Sequence, residues 1–186
     1  MTRFHECDTP MEGLVILERQ KMRDSRGYFE RVFCQNDLAV YLNERTIQQI
    51  NHTSTTKEGI VRGMHYQHPP FGELKIVTCM AGTVFDVVLD LRQGSATFLQ
   101  YYSIVLRGGD EISVLIPEGF AHGFQSLSDD CRLLYLHSNS YQPDSMGVVN
   151  ALDPLIGIEW PRPIFERSAR DSQAPFLDEF FSGVAV

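Results

Sequence analysis

The sequence predicts a mainly β protein with a jelly-roll architecture. Between residues 46 and 136, β-branched and aromatic residues form short runs separated by turn residues, as at 80–82 and 107–110. Runs with the number and spacing of jelly-roll strands occur at 60–67, 75–79, 83–91, 97–106, 111–116, 121–127 and 132–138. After Pro143 strand formers become rarer and prolines interrupt the chain. We therefore expect loops and a short helix packed on the barrel in this last segment.

Only short elements are expected before residue 46. An apolar run at 14–17 precedes a tight turn at 23–27, where Gly27 can adopt unusual dihedral angles, and 28–33 is expected to form a strand. The spacing of apolar residues between 38 and 42, after a possible N-cap at Asn36 or Asp37, predicts a helix over 36–45.

The stretch 83–91 shows strand alternation clearly. One set of alternate positions is entirely apolar: Phe85, Val87, Leu89 and Leu91. The other set combines two valines with Asp86 and Asp90. We expect the first face to be core and the second to be wet or to face a ligand.

Length and composition indicate one globular domain over residues 1–186, with a barrel core at about 46–150 and a C-terminal segment, 151–186, packed on it. The formal net charge of −8 disfavours binding to nucleic acid. No apolar run approaches the length of a membrane span, and the amino terminus has charges where a signal peptide would need an apolar core. The four cysteines have no Cys-x-x-Cys spacing. We expect a cytoplasmic protein with reduced thiols.

The candidate chemistry centres on Arg62 and His65. Side chains three residues apart in a regular strand point to opposite faces. Gly63 between them can produce a β-bulge, which would turn both toward one cavity. The alternative is a surface arginine and a hydrogen-bonded core histidine, and the local pattern taken alone favours this alternative.

Lys75 opens a strand whose alternate positions, Val77 and Cys79, are apolar. If these point into the barrel, so does Lys75, which then needs to pair with a carboxylate or to face an anionic or carbonyl ligand. A lysine at a strand edge that reaches back to water is the alternative.

A metal site is the less favoured interpretation of the histidines. His65, His68 and His122 could supply three ligands, but a His-x-x-His step on a strand directs its two imidazoles to different faces. Taken alone, Tyr135 fits a core or rim aromatic, Tyr141 fits a ring that covers the barrel mouth, and Asp171 fits a loop carboxylate.

Together these segments resemble the dTDP-4-dehydrorhamnose 3,5-epimerase family over nearly the whole chain. The resemblance rests on the order and separation of six motifs, at 24–27, 49–54, 62–67, 85–87, 117–124 and 157–161. It implies a cupin-type jelly-roll, usually a homodimer, that needs no metal or other cofactor. Its substrate would be a nucleoside-diphosphate 4-keto-6-deoxy sugar.

The resemblance also assigns roles by position. It makes His65 the catalytic base with Asp171 as its orienting partner, Tyr135 the proton donor, and Lys75 the cation beside the keto oxygen. Tyr141 matches the aromatic residue that stacks on the nucleobase. The remaining ligand-contacting positions are Arg26, Gln49, Asn51, Arg62, His122 and Arg170.

The proposed chemistry needs these residue types. A C–H bond next to a ketone is acidic only if the enolate is stabilised, so a base must act on one face while donors and a cation meet the oxygen. A neutral imidazole suits the base, and a carboxylate beside it stabilises the imidazolium once the proton arrives. Inversion then requires an acid on the opposite face.

Three positions depart from the family pattern. Arg31 and Met146 stand where glutamates are usual, and Ser140 stands where an aromatic residue is often found. Replacing a hydrogen-bond acceptor by a cation or a thioether changes which ligand hydroxyls or nucleobases can bind there. The nucleotide, the sugar or the number of inverted centres can therefore differ from the rhamnose case.

Three other functions remain as alternatives. One is a catalytically silent nucleotide-sugar-binding protein on the same barrel. Another is a metal-dependent cupin oxygenase or isomerase, and the third is a ketoisomerase of related fold.

Overall fold

The computed structural model describes residues 3–186, so Met1 and Thr2 of the predicted domain lie outside the described residues. The described chain contains two short helices, α1 (Ala39–Leu42) and α2 (Ala169–Gln173), and thirteen strands. The strands are β1 (Phe4–Asp8), β2 (Val15–Arg19), β3 (Lys21–Asp24), β4 (Gly27–Glu30), β5 (Gln49–Thr55), β6 (Val61–Gln67), β7 (Lys75–Ala81), β8 (Thr83–Asp90), β9 (Tyr101–Arg107), β10 (Ile112–Ile116), β11 (Phe120–Ser126), β12 (Cys131–His137) and β13 (Met146–Val148).

Two antiparallel sheets form the barrel, which confirms the predicted jelly-roll. One has the order β1-β2-β10-β7-β12-β5 and the other the order β13-β6-β11-β8-β9. Strands β3 and β4 form a separate two-stranded hairpin. Because β1 and β2 join the first sheet, the barrel also includes strands before residue 46.

The barrel interior is filled from both sheets by alternate side chains. Val77 and Leu133 from the first sheet and Val84, Val88 and Phe124 from the second belong to one buried cluster. This packing holds the two sheets together and closes one end of the space between them.

The mixed face of 83–91, which was expected to be wet or to face a ligand, is not wet. Asp86 and Asp90 are fully buried, and their face lies toward the barrel interior. The opposite face is covered by the C-terminal segment, which contributes Ile156 and Trp160 to a second buried cluster with Leu89. Both faces of β8 are therefore dry, because the segment after residue 150 acts as an outer layer.

The smaller elements follow the predictions in part. Helix α1 lies within the predicted 36–45 but spans only Ala39–Leu42, because Asn43 adopts a left-handed conformation that ends it. Helix α2 is the short helix expected in the tail, whereas β1, β3, β5 and β13 were not predicted. Within residues 3–186, no helix is long and apolar enough to span a membrane.

Asp90 at the end of β8 provides a test of stability. Burial raises the pKa of this carboxyl, but donors from Arg92, Ser95 and Thr97 outweigh burial and lower it to about 2. A lowered folded-state pKa contributes stability that is complete above the unfolded value of 3.8 and is lost as the pH falls toward 2. Asp90→Asn should thus reduce the free energy of unfolding at pH 7 by on the order of 2 kcal/mol.

Urea unfolding of the wild type and of Asp90→Asn, at pH 7 and at pH 2.5, measures this contribution. The difference in the free energy of unfolding should be ~2 kcal/mol at pH 7 and smaller at pH 2.5. Glu12→Gln, at an exposed carboxylate, is the control and should change little at either pH. A difference between wild type and Asp90→Asn that is as large in acid as at neutral pH would contradict the assignment.

Candidate active site

A cavity of about 690 Å³ opens between the two sheets at one end of the barrel. Its walls come from β5, β7 and β12 of one sheet, from β6, β11 and β13 of the other, and from residues 166–171, which include the start of α2. Most of the predicted site residues line it: Gln49, Asn51, Arg62, His65, Lys75, His122, Tyr135, Tyr141, Arg170 and Asp171.

The bulge predicted at Gly63 is confirmed. On β11, His122 and Phe124 are two residues apart, yet they pair with His65 and Arg62 of β6, which are three apart. The extra residue on β6 lets both Arg62 and His65 line the cavity. Gly63 has a φ of +115°, and a Cβ at this position would lie 2.7 Å from the Cα of Gly123. Only glycine can therefore occupy this position, where the backbones of β6 and β11 approach each other.

Asp171 reaches His65 from the far end of the chain. Ser168 caps helix α2 by accepting from the Asp171 backbone N–H, which places the carboxylate in the first helical turn, facing β6. Asp171 Oδ1 lies 2.6 Å from His65 Nε2, and Oδ2 accepts from the Gly63 N–H at 3.3 Å. The backbone of the bulge and the imidazole therefore hold the same carboxylate.

This arrangement determines which nitrogen of His65 can act as a base. Burial raises the pKa of Asp171, but the hydrogen bond and charge of His65 outweigh burial and hold it below its ordinary value. An ionised carboxylate only accepts, so Nε2 carries the proton. In the neutral ring, Nδ1 is then the nitrogen that can take a proton from a ligand.

Tyr135 projects from β12, in the sheet opposite the one that carries His65. Burial raises the pKa of its phenol far above the ordinary value, and the charge of Asp86 raises it further. The phenol thus stays protonated and can act as a donor. Its ring packs edge-on against His122, whose Nε2 lies 2.7 Å from Asp86 Oδ1.

The Lys75 side chain points into the barrel, and its pairing with a carboxylate is confirmed. Its Nζ donates to the backbone oxygen of His65 at 3.1 Å and lies 3.2 Å from Glu73 Oε1. An ammonium has three N–H donors. One therefore remains for a ligand in the cavity.

Three arginines, Arg62, Arg167 and Arg170, line the cavity. Arg62 is held by Thr55 Oγ1 and by the backbone oxygen of Ser54. Tyr141 is half exposed, and its backbone N–H donates to Gln49 Oε1 at 3.0 Å. The cavity lining therefore includes both positive charge and an aromatic ring.

Two arginines that drew attention in the sequence lie outside this cavity. Arg26 is at the tip of the β3–β4 hairpin and pairs with Asp24 at 2.6 Å. Arg31 pairs with Asp37 at 3.0 Å and does not line the cavity. Met146, by contrast, lies in the cavity wall.

The histidines do not converge on a metal. His65 and His122 line the cavity, each beside a carboxylate, whereas His68 is exposed and packs on Tyr66 outside it. Among residues 3–186, no group of three or more histidine, cysteine or acidic side chains is arranged to hold a metal ion.

No role was predicted from the sequence for Glu73, His137 or Asp86. In the structure, Glu73 and His137 line the cavity, and Asp86 is buried in the barrel interior. His137 shares the face of Tyr135, two residues away, so strand alternation was a usable signal. The hydrogen bond of 2.8 Å between His137 Nδ1 and Glu73 Oε2 joins residues 64 apart and has no local signature.

A family model described as dTDP-4-dehydrorhamnose 3,5-epimerase matches residues 8–179. The chain belongs to this family. A relative of the same description from Salmonella typhimurium is 39% identical over 173 residues, which cover 92% of this chain and 94% of the relative. The match confirms the resemblance noted in the sequence.

Solved structures of similar proteins extend the comparison. The epimerase RmlC from Legionella pneumophila, in complex with dTDP-4-keto-L-rhamnose, has a TM-score of 0.87 and 33% identity, covering 93% of this chain and 92% of that one. ChmJ from Streptomyces bikiniensis, a 3'-monoepimerase in complex with dTDP-quinovose, has a TM-score of 0.82 and 32% identity, covering 90% and 85%. The cupin-type barrel is therefore shared by proteins described as 3,5-epimerases and by a monoepimerase.

The close crossing at Gly63 yields a prediction. In Gly63→Ala, the new methyl group would meet Gly123 and the His122 carbonyl at 2.7 Å, in addition to the strain of a positive φ. We expect a loss of about 3 kcal/mol or more in the free energy of unfolding, since a steric clash adds to backbone strain of about 1–3 kcal/mol.

Gly94→Ala is the matched control, because Gly94 has a φ of +77° but a Cβ there meets nothing within 4 Å. It should cost only about 1 kcal/mol, the strain alone. Chemical denaturation measures both variants. Equal losses at the two glycines would show that the β6–β11 crossing tolerates a side chain.

Proposed function

We propose that this protein inverts carbon 3, carbon 5 or both in a nucleoside-diphosphate 4-keto-6-deoxyhexose of the dTDP-4-dehydro-6-deoxyglucose type. One observation carries the proposal: His65, Tyr135 and Lys75 line the same cavity, and the first two project from opposite sheets. Membership of the epimerase family supports it. The reaction belongs to deoxysugar biosynthesis for cell-surface polysaccharide.

His65 is the base in this proposal. Its Nδ1 removes the proton from the carbon beside the ketone, the C–H electron pair forms the enolate, and the carbonyl oxygen becomes an oxyanion. The resulting imidazolium lies 2.6 Å from Asp171 Oδ1, which stabilises its charge without taking the proton. The Gly63 N–H holds the carboxylate in place for this role.

Lys75 stabilises the oxyanion. Two of its N–H groups are occupied by the His65 carbonyl and Glu73. The remaining N–H and the positive charge can meet the keto oxygen, in a buried site where such an interaction is stronger than in water.

Tyr135 returns a proton to the carbon from the opposite face. Because its pKa is raised, the phenol is protonated and ready to donate, and its conjugate base is strong enough to be reprotonated afterwards. Abstraction from one sheet and donation from the other give inversion at the carbon.

The nucleotide lies at the mouth of the cavity in this proposal. Arg62, Arg167 and Arg170 provide charge for the diphosphate, and Tyr141 provides a half-exposed ring for the base. Met146 lines the same region and offers a polarisable apolar contact where the family usually has a carboxylate.

A homodimer and a cytoplasmic location are part of the proposal. The β3–β4 hairpin exposes Tyr28 and Phe29 by 54% and 61%, as expected of a surface that a second copy covers. Arg26 at its tip lies outside the cavity of its own chain, so its ligand contact would be made in the cavity of the partner. The four free cysteines fit a reducing compartment.

Hydrogen exchange tests the proposed reaction. Incubation with dTDP-4-keto-6-deoxyglucose in deuterated water should introduce deuterium at carbon 3, carbon 5 or both. In His65→Asn the rate should fall by about 10²–10⁴, because a positioned base contributes that much. Tyr135→Phe should retain exchange at the abstracted carbon while losing inverted product, since it removes only the donor.

His5→Asn, an exposed histidine on β1 outside the cavity, is the control and should exchange at the wild-type rate. Mass spectrometry and NMR of the recovered sugar distinguish exchange from inversion. Tight binding of the nucleotide sugar with no deuterium incorporation would favour the silent binding protein instead, and a 3-keto product would favour the ketoisomerase.

Subunit mixing tests the role of Arg26. Arg26→Ala and His65→Asn should each be nearly inactive, but random mixing of the two chains should restore about a quarter of the wild-type rate. Half of the dimers would be mixed, and each would have one cavity with both His65 and a partner Arg26. Absence of any recovery, in material that light scattering shows to be mixed dimer, would place Arg26 outside the site.

A further inference from the structure

A buried charge network lies in the cavity wall beside the residues that move the proton. The Glu73 carboxylate binds two partners, Lys75 Nζ at 3.2 Å through Oε1 and His137 Nδ1 at 2.8 Å through Oε2. The side chains of Glu73, Lys75 and His137 are only 9%, 8% and 12% exposed. All three line the cavity, and the proton transfer described above uses only Lys75.

The network crosses the sheet from the cation to an amide. Strand β12 lies between β7 and β5, so His137 is paired with Lys75 on one side and with Gln49 on the other. His137 Nε2 lies 3.3 Å from Asn51 Nδ2 on β5. A continuous chain of contacts thus joins Lys75 to Asn51 through Glu73 and His137.

Glu73 determines the direction of the free N–H of Lys75. The His65 carbonyl alone would leave the ammonium free to rotate about one hydrogen bond, whereas two acceptors fix it. Burial raises the pKa of Glu73, but the hydrogen bond from His137 and the charge of Lys75 outweigh burial and hold it below its ordinary value. The carboxylate is therefore ionised and accepts from both neighbours.

The same carboxylate determines the tautomer of His137. Because it only accepts, Nδ1 carries the ring proton, and Nε2 of the neutral ring is an acceptor. Asn51 then turns its NH₂ group toward Nε2. Its carbonyl oxygen is left to accept from a ligand hydroxyl in the cavity.

We propose that Glu73 and His137 are positioning residues for the epimerase reaction: Glu73 aims the Lys75 ammonium at the keto oxygen, and His137 orients the Asn51 amide to accept from a hydroxyl of the sugar nucleotide. This inference rests on the proposed function. Glu73 and Lys75 then stabilise the transition state, whereas His137 and Asn51 contribute to substrate binding.

Glu73→Gln tests the first half. The amide keeps the shape but has one acceptor and one donor group, so its oxygen can hold Lys75 while its NH₂ faces His137. His137 must then accept at Nδ1 and carry its proton on Nε2, and the Asn51 amide must turn over. Nitrogen-15 NMR of the His137 ring should show the proton moved from Nδ1 to Nε2. The kcat should fall by about 10- to 100-fold, because a neutral amide oxygen holds the ammonium more weakly than a carboxylate does.

His137→Asn tests the second half. The asparagine NH₂ can replace the Nδ1–H that binds Glu73, but the shorter side chain does not reach Asn51. We expect KM to rise about tenfold, the value of roughly one hydrogen bond, while kcat falls less than about threefold. His137→Leu removes both contacts, so its kcat should fall and its KM should rise. His5→Asn is the control and should change neither.

The pattern across variants decides the inference. It is overturned if Glu73→Gln keeps both the wild-type kcat and the wild-type tautomer, or if His137→Asn loses kcat as strongly as Glu73→Gln does. Circular dichroism and thermal melts check that each variant is folded, and the tautomer measurement needs no turnover. If wild-type protein shows no exchange, the proposed function fails; if only the split between kcat and KM is missing, the positioning roles fail and the epimerase proposal stands.

Discussion

The backbones of Gly63 on β6 and Gly123 on the neighbouring strand β11 approach each other closely, and the rest of the site depends on this contact. Without a Cβ at Gly63, β6 can carry one residue more than β11 and still remain paired with it. That extra residue turns Arg62 and His65 to the same side. The Gly63 N–H also binds Asp171, so one irregularity in the barrel positions the base and its carboxylate together.

Around this point, buried charges occur in pairs that the fold holds ready. Asp171 lies against His65, Asp86 against His122, and Glu73 against Lys75. Each carboxylate would be costly alone in a dry interior, and each partner reduces that cost. Because the cost of assembling these pairs is met on folding, little reorganisation is needed when charge develops on a ligand. The barrel thus encloses the cavity and also surrounds it with fixed polar groups.

The residues that line the cavity differ in how closely they follow the family pattern. The family resemblance predicts that His65, Tyr135, Lys75 and Asp171 stand at its proton-transfer positions. Met146 also lines the cavity, and its thioether cannot accept hydrogen bonds as a carboxylate does. Arg31 lies away from the cavity and pairs with Asp37, so the departure at that position does not alter this wall. In the proposed function, the departure that faces the ligand is therefore the one at Met146.

The sequence by itself determined the features that depend on neighbours along the chain. Strand alternation predicted the jelly-roll and the inward direction of Lys75, and a glycine between Arg62 and His65 predicted the bulge, because backbone geometry dictates which way successive side chains point. Tertiary structure decided which strand lies opposite which. The contact of Asp171 with His65 followed from family resemblance alone, and the burial of Asp86, the link from Glu73 to His137 and the separation of Arg26 from the cavity were not foreseen. These join or separate residues far apart in the chain, and local patterns carry no information about such distances.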